Sequence, residues 1–178
     1  MKKFDIVVVG GGHAGIEACL ASARLGSRTL LITSNKQRIG YMSCNPSIGG
    51  LAKGHMVREL DVLGGQMAEV ADETCIQFKR LNSSRGPAVR GTRVQSDKIK
   101  YSRRMSQIIN EQTNLSVIES EVKALLLDGD ICKGVILQDQ SQISARAVVL
   151  TTGTFMNGVM HFGLKQLPGG RIGDQASV

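Results

Sequence analysis

Phe4-Asp5-Ile6-Val7-Val8-Val9 runs straight into Gly10-Gly11-Gly12-His13-Ala14-Gly15, and Ile16-Glu17-Ala18-Cys19-Leu20-Ala21 follows. An apolar strand, a G-x-G-x-x-G turn and a small-residue helix, in this order, are what a dinucleotide-binding βαβ unit requires. Gly10 permits the tight turn, Gly12 lets backbone N–H groups approach a pyrophosphate, and Gly15 lets the helix lie close against the strand. The helix N-terminus adds free N–H donors and a partial positive charge. Gly10, Gly11, Gly12, His13, Ala14 and Gly15 are therefore the candidate cofactor-binding residues. His13 has no partner at metal-ligand spacing and reads as a loop-shaping residue beside the pyrophosphate. His55 and His161 carry no reading.

The second strand is Arg28-Thr29-Leu30-Leu31-Ile32-Thr33. Past its end, where an acidic residue usually holds a ribose hydroxyl, stand Ser34, Asn35 and Lys36, and no Asp or Glu lies between Glu17 and Glu59. This strand leaves the identity of the dinucleotide open.

At 178 residues, with 42% hydrophobic and 21% charged residues, the chain has the length and composition of one globular domain. No apolar run approaches the roughly 20 residues that span a bilayer. Lys2 and Lys3 before an apolar run resemble a signal peptide, but the run ends in glycines without a small-residue cleavage site. The expectation is a cytoplasmic protein with no membrane partner. Cysteines at 19, 44, 75 and 132 form no C-x-x-C pair and have no histidine at ligand spacing, which argues against a metal site and a disulfide framework. Cys19, Cys75 and Cys132 have apolar neighbours and are expected in the core.

The net charge of +7 is concentrated. From Lys79 to Arg104 there are nine basic residues and one acid, Asp97, so this window carries +8 and the remainder −1. Such concentration points to a polyanionic partner. Arg85, Arg90 and Arg93 flank Gly86-Pro87-Ala88-Val89, either as bidentate phosphate clamps or as a solvated charge run. Lys100, Arg103 and Arg104, at i, i+3 and i+4, share one side of a helix predicted over 96–112. Its apolar side would carry Ile99, Met105, Ile108 and Ile109, with Tyr101 at the margin. Aromatic content of 3% with no Trp offers no stacking platform for single strands. Backbone-dominated contact with a folded RNA fits better.

Residues 36–93 form a long excursion. Met42-Ser43-Cys44-Asn45-Pro46-Ser47-Ile48-Gly49-Gly50 reads as a loop, helices are predicted over 54–63 and 66–72, and 82–87 is another turn-forming loop. A thiol on a glycine- and proline-bearing loop, with Lys53 and His55 shortly beyond, is either a reactive candidate or a half-buried loop cysteine. After the 96–112 helix come a third parallel strand at 115–118, a β-meander over 122–127, 131–137 and 142–145, and an apolar return strand at 147–153. This is the layout of large two-dinucleotide-domain flavoproteins, and the meander crossover favours FAD. The predicted fold is α/β, a Rossmann-like FAD-binding domain built on a parallel sheet with a β-meander crossover.

Five segments together carry a family resemblance: the glycine turn, Met42 to Gly50, Lys53-Gly54-His55, Gly86-Pro87-Ala88-Val89-Arg90 and Gly169-Gly170-Arg171-Ile172-Gly173-Asp174. The chain resembles the tRNA uridine 5-carboxymethylaminomethyl modification enzymes, the MnmG (GidA) family, from end to end. The resemblance implies an FAD- and NADH-dependent enzyme that works with the GTPase MnmE. It adds an aminomethyl or carboxymethylaminomethyl group to C5 of the wobble uridine of tRNA, with methylenetetrahydrofolate as one-carbon donor. By the same correspondence Val122 and Ser177 line the FAD site, and Cys44 stands at the family's reactive loop cysteine, as nucleophile toward uracil C6 or as acid/base group.

Family members are far longer, homodimeric, and carry an NADH-binding insertion, a second cysteine and partner-binding helices. The resemblance thus implies that residues 1–178 are the N-terminal part of the FAD-binding domain, incomplete relative to the family. Residues 36–113 would be an inserted loop and helical basic segment, and the fragment alone would be inactive. The competing readings are a folate/FAD-dependent tRNA uracil-5-methyltransferase and, for the fragment alone, a non-catalytic flavin- or RNA-binding module. The methyltransferase would lack the Ser-Cys-Asn-Pro loop.

Overall fold

The computed structural model describes residues 3–173. β1 (Lys3–Val9) and β2 (Thr29–Thr33) pair in parallel and are joined by α1 (His13–Arg24), as the opening pattern dictates. β2 is buried along its whole length, which is why it reads as an apolar run and not as an alternation. α1 buries Gly15, Ile16, Cys19, Leu20 and Ala23, one stripe at helical spacing.

The predicted insertion, residues 36–113, contains β3 (Ser47–Gly49), α2 (Lys53–Val62), α3 (Met67–Glu73), β4 (Cys75–Leu81), β5 (Gly91–Ser96) and α4 (Lys98–Glu111). All three helices fall within two residues of their predicted ends. The segments between them are not plain loop: β3, β5 and β4 form an antiparallel sheet in that order. Ile48, Val94 and Phe78 stand side by side across it, and Ile48 and Val94 are buried against the core. On α4 the apolar side differs from expectation. Tyr101 is fully buried with Met105 and Ile109, whereas Ile99 is exposed. Asp97 caps this helix by accepting from the Ile99 and Lys100 amides, which fixes the first turn and turns Ile99 outward.

β6 (Leu115–Glu119) pairs in parallel with β2, and β7 (Val122–Asp128), β8 (Ile131–Leu137) and β9 (Gln142–Leu150) follow as the meander. The meander's third strand and the return strand, predicted as two, are one. The first residues of β9 pair antiparallel with β8, and Ser144 to Leu150 pair in parallel with β1. The resulting six-stranded order is β6-β2-β1-β9-β8-β7. Only Ser120 and Glu121 separate β6 from β7, although these strands are the opposite edges of that order. The chain therefore passes from one edge strand to the other in two residues, and the meander folds over the face carrying Val7, Leu30 and Ile32. Val135, Leu137 and Ala145 pack there as one core cluster. The other cluster lies on the opposite face, where Val8 and Leu31 meet α1, α3 and α4. A further hairpin, β10 (Val159–Phe162) and β11 (Lys165–Pro168), was not foreseen.

Cys19 is in the core, its thiol donating to the Ile16 carbonyl at 3.2 Å. Cys75 is exposed and Cys132 half-buried, against expectation. Cys75 begins β4, the outer strand of the small sheet, and Cys132 lies close to the meander's solvent-facing tip.

Candidate functional site

The glycine turn joins β1 to α1 at the carboxyl end of the parallel strands, where open α/β sheets bind ligands. Gly10 has φ +112°, a conformation that favours glycine. A Cβ on Gly15 would fall on the Gly10 carbonyl oxygen and stand 2.7 Å from Thr151 Oγ1, so close helix–strand packing demands glycine there. Thr151, at the end of β9, holds the turn by donating its hydroxyl to the Val9 carbonyl at 2.7 Å. Gly12 differs: an added Cβ would meet nothing among the described residues within 4 Å. It is also the N-cap of α1, with no side-chain cap and no acid in the first turn. The first bond of the helix runs from the Ile16 amide to the Gly12 carbonyl, which leaves the preceding amides as donors without helical partners. Open space, unused donors and a missing acid together fit an anionic pyrophosphate.

His13 begins α1 with its Nε2 buried and unpartnered, its ring 5.6 Å from that of Tyr101. Burial, with a smaller contribution from the Lys53 charge, pushes its pKa down to about 4, so the imidazole is neutral at pH 7. The Tyr101 hydroxyl is likewise buried without a partner among the described residues, and burial pushes its pKa up. At the end of β2 the Asn35 side chain accepts from the Gln37 amide and is thus engaged in local capping. Val122 opens β7 half-buried, two residues after Ser120, whose amide donates to the Thr33 carbonyl. It lies at the same carboxyl edge as the turn. Ser177 lies outside the described residues.

Cys44 is exposed, on the segment that runs from the glycine turn into β3. One end of that segment is tied down by the Gly40 amide, which donates to the Gly11 carbonyl at 3.0 Å. At the other, Lys53 Nζ donates to the Ser47 carbonyl at 3.3 Å. Between them Ala52 adopts φ +60° and ψ −62°, the strained γ-turn region, as the chain enters α2. The thiol thus sits on a segment anchored to the cofactor turn at one end and to a strained helix entry at the other.

The basic residues lie on several different elements. Arg90 Nε donates to the Arg85 carbonyl, so these two share the 82–90 loop. Arg104 pairs with Glu73 at 2.7 Å, while Lys100 and Arg103 are exposed on α4. Arg93 lies on β5 directly opposite Lys79 of β4, a neighbour that the charge run alone did not single out.

The family model described as Glucose inhibited division protein A matches residues 5–178. The chain belongs to this GidA family. It is 67% identical, over 99% of its length, to the tRNA uridine 5-carboxymethylaminomethyl modification enzyme MnmG of Bdellovibrio bacteriovorus. The corresponding protein of Desulfotalea psychrophila is 53% identical over the same share. The chain covers 28% and 27% of the lengths of these two relatives. Among solved structures, Aquifex aeolicus GidA superposes with a TM-score of 0.94 at 48% identity, covering 99% of this chain and 29% of that one. The mostly parallel α/β architecture is thus the family's own. Among the described residues no helix is long and apolar enough to cross a membrane, and no group of His, Cys, Asp and Glu could hold a metal ion.

Proposed function

We propose that this chain forms the FAD-binding core of a cytoplasmic tRNA-modifying enzyme. The enzyme adds an aminomethyl or carboxymethylaminomethyl group to C5 of the wobble uridine. It acts as a homodimer with the GTPase MnmE, and takes reducing equivalents from NADH and the one-carbon unit from methylenetetrahydrofolate. The observation that carries this reading is the 67% identity, over 99% of the chain, to a relative named for that modification.

The geometry supplies a rationale for the division of labour. The amides at the start of α1, facing the open space at Gly12, hold the pyrophosphate of FAD, with Val122 and Ser177 lining the rest of the pocket. When bound, the flavin supplies two-electron redox chemistry. With His13 neutral at pH 7, the positive potential toward the pyrophosphate comes from the helix N-terminus and its amides. Cys44, exposed on its anchored segment, adds as thiolate to uracil C6. That addition makes C5 nucleophilic, so C5 bonds to the donor's methylene carbon, whose two bonds to folate nitrogens are exchanged for this carbon–carbon bond and for a bond to the nitrogen of ammonia or glycine; loss of the C5 proton expels the thiolate.

Purified protein is incubated with unmodified tRNA, GTPase partner, GTP, NADH, FAD, methylenetetrahydrofolate and either ammonium or glycine as amine donor, and the digested tRNA is read by mass spectrometry. The expected product is the aminomethylated or carboxymethylaminomethylated wobble uridine, lost in Cys44→Ser with no change in melting temperature. A 5-methyluridine product, or unchanged turnover in Cys44→Ser, refutes the reading.

A further inference from the structure

The three-stranded sheet has two faces of opposite character. The row Ile48–Val94–Phe78 faces α2 and α3. Because side chains alternate, the rows on either side of it point the other way. One is Ser47–Gln95–Gln77 and the other Gly49–Arg93–Lys79. Gln77, Lys79, Arg93 and Gln95 are all exposed there and line a shallow cavity of about 190 Å³. Two residues along a strand span about 7 Å, and directly opposed residues lie about 5 Å apart. The four side chains therefore make one compact patch.

Lys79 directly opposite Arg93 is a costly arrangement, because like charges across a strand pair repel. Neither residue forms an ion pair among the described residues. A solvated sheet without a ligand gains from an acid at one of these positions, and none is there. Two cations flanked by two amides match a nucleic-acid backbone. The cations neutralise phosphates, and each Gln amide can donate to phosphate oxygens or exchange hydrogen bonds with ribose 2′-hydroxyls. The patch is continuous with the candidate catalytic segment: Ser47, at the end of its first row, lies three residues beyond Cys44, and the Ser96 amide beside Gln95 donates to the Pro46 carbonyl at 2.8 Å.

We infer that the outward face of this sheet, formed by Gln77, Lys79, Arg93 and Gln95, is an RNA-backbone platform that sets the tRNA substrate beside the Cys44 segment. The inference rests on the tRNA reading and deepens it, naming a surface of which the charge run had contained Lys79 and Arg93 without pairing them.

The test measures tRNA affinity of the purified, FAD-loaded protein as a function of salt. Wild type is compared with Lys79→Gln/Arg93→Gln, with Gln77→Ala/Gln95→Ala, and with the control Lys133→Gln on the meander. Each phosphate contact contributes about 0.7 to 0.9 to the slope of log K against log salt. The double charge variant should lose about 1.4 to 1.8 of slope and at least tenfold in affinity near 0.1 M salt. The amide variant should lose affinity with the slope kept, and the control should match wild type. Flavin content at wild-type level in each variant establishes that the fold is intact. Unchanged slope in the charge variant, while wild type binds tRNA, overturns the platform and leaves the tRNA reading standing. A wild type without salt-dependent tRNA binding overturns both. Displacement of tRNA by polyglutamate as readily as by RNA of equal charge overturns the RNA assignment in favour of an acidic protein.

Discussion

Gly12 and Gly15 belong to one motif, yet the structure assigns them different physical work, and alanine at each position separates the two. At Gly15 the new methyl falls on the Gly10 carbonyl oxygen and stands 2.7 Å from Thr151 Oγ1 and 3.0 Å from the Gly10 carbonyl carbon. The obstructing oxygen and carbon are backbone, fixed by β1 and by the Thr151 hydrogen bonds. Ordinary carbon contacts lie at about 3.5–4.0 Å, so the start of α1 must retreat from β1 by about 1 Å or more. Overpacking of this kind costs about 3 kcal/mol, the upper end of the usual range. For a chain of this length that corresponds to roughly 6–12 °C in melting temperature. At Gly12 the methyl meets nothing among the described residues within 4 Å, and the backbone, at φ −77° and ψ −179°, suits alanine. Gly12→Ala should therefore melt within about 2 °C of wild type without ligand, within the range of neutral surface substitutions. Its methyl instead occupies the space assigned to the pyrophosphate, so the stabilisation that added FAD gives wild type should disappear. Calorimetric melts of the three proteins, with and without FAD, make the comparison. Equal destabilisation by the two substitutions, or full FAD stabilisation of Gly12→Ala, would refute the assignment of steric work to Gly15 and ligand work to Gly12.

Three further outcomes are expected. Because the His13 pKa is about 4 in the folded protein against an ordinary 6.5, the unfolded chain binds more protons between those values. Its contribution is complete above pH 6.5 and declines by about 3 kcal/mol on acidification to pH 4. Urea titrations should show wild type losing that much more stability than His13→Gln over this interval, and parallel curves would contradict it. Tyr101→Phe removes a buried hydroxyl without a partner and should raise stability by about 1 kcal/mol, read from the urea midpoint; a loss of that size would reveal a hydrogen bond to solvent or ligand. Glu73→Gln breaks the ion pair to Arg104, whose side chains are 35% and 38% exposed, and should leave the urea midpoint close to that of wild type; a large downward shift would contradict this.

The βαβ unit was legible because each of its requirements is local: an apolar run, glycines at fixed offsets, a small-residue stripe. The three helices between β2 and β6 were legible for the same reason, because helical periodicity is local. The β3-β5-β4 sheet was not, because its pairing is settled by tertiary contact. Its alternation was nevertheless written in Ile76-Gln77-Phe78-Lys79 and in Arg93-Val94-Gln95, where one face is apolar and the other polar. Reading that period would have joined Lys79 to Arg93 instead of leaving both in a charge run. Tyr101, expected at the helix margin, is instead fully buried; a buried phenol usually keeps its hydroxyl in reach of a partner, and here none is found among the described residues. Cys75 was assigned to the core from its apolar neighbours Ile76 and Phe78, but those side chains are themselves exposed on an edge strand. Cys44 was singled out by the glycine- and proline-bearing segment around it. The anchoring of that segment to Gly11 involves residues far apart in the chain, which no local pattern announces.

The bond from Thr151 to the Val9 carbonyl spans 142 residues. A ribosome adding about 5–20 residues per second needs roughly 7–30 s to deliver the second partner after the first. During that interval β1 can pair with β2, but its other edge is open, with the carbonyls before the glycine turn unclaimed. Edge strands of this kind recruit other strands. The opening motif of the chain is therefore completed only after the meander has emerged. Anything that slows synthesis of the meander prolongs the exposure of the strand on which cofactor binding depends.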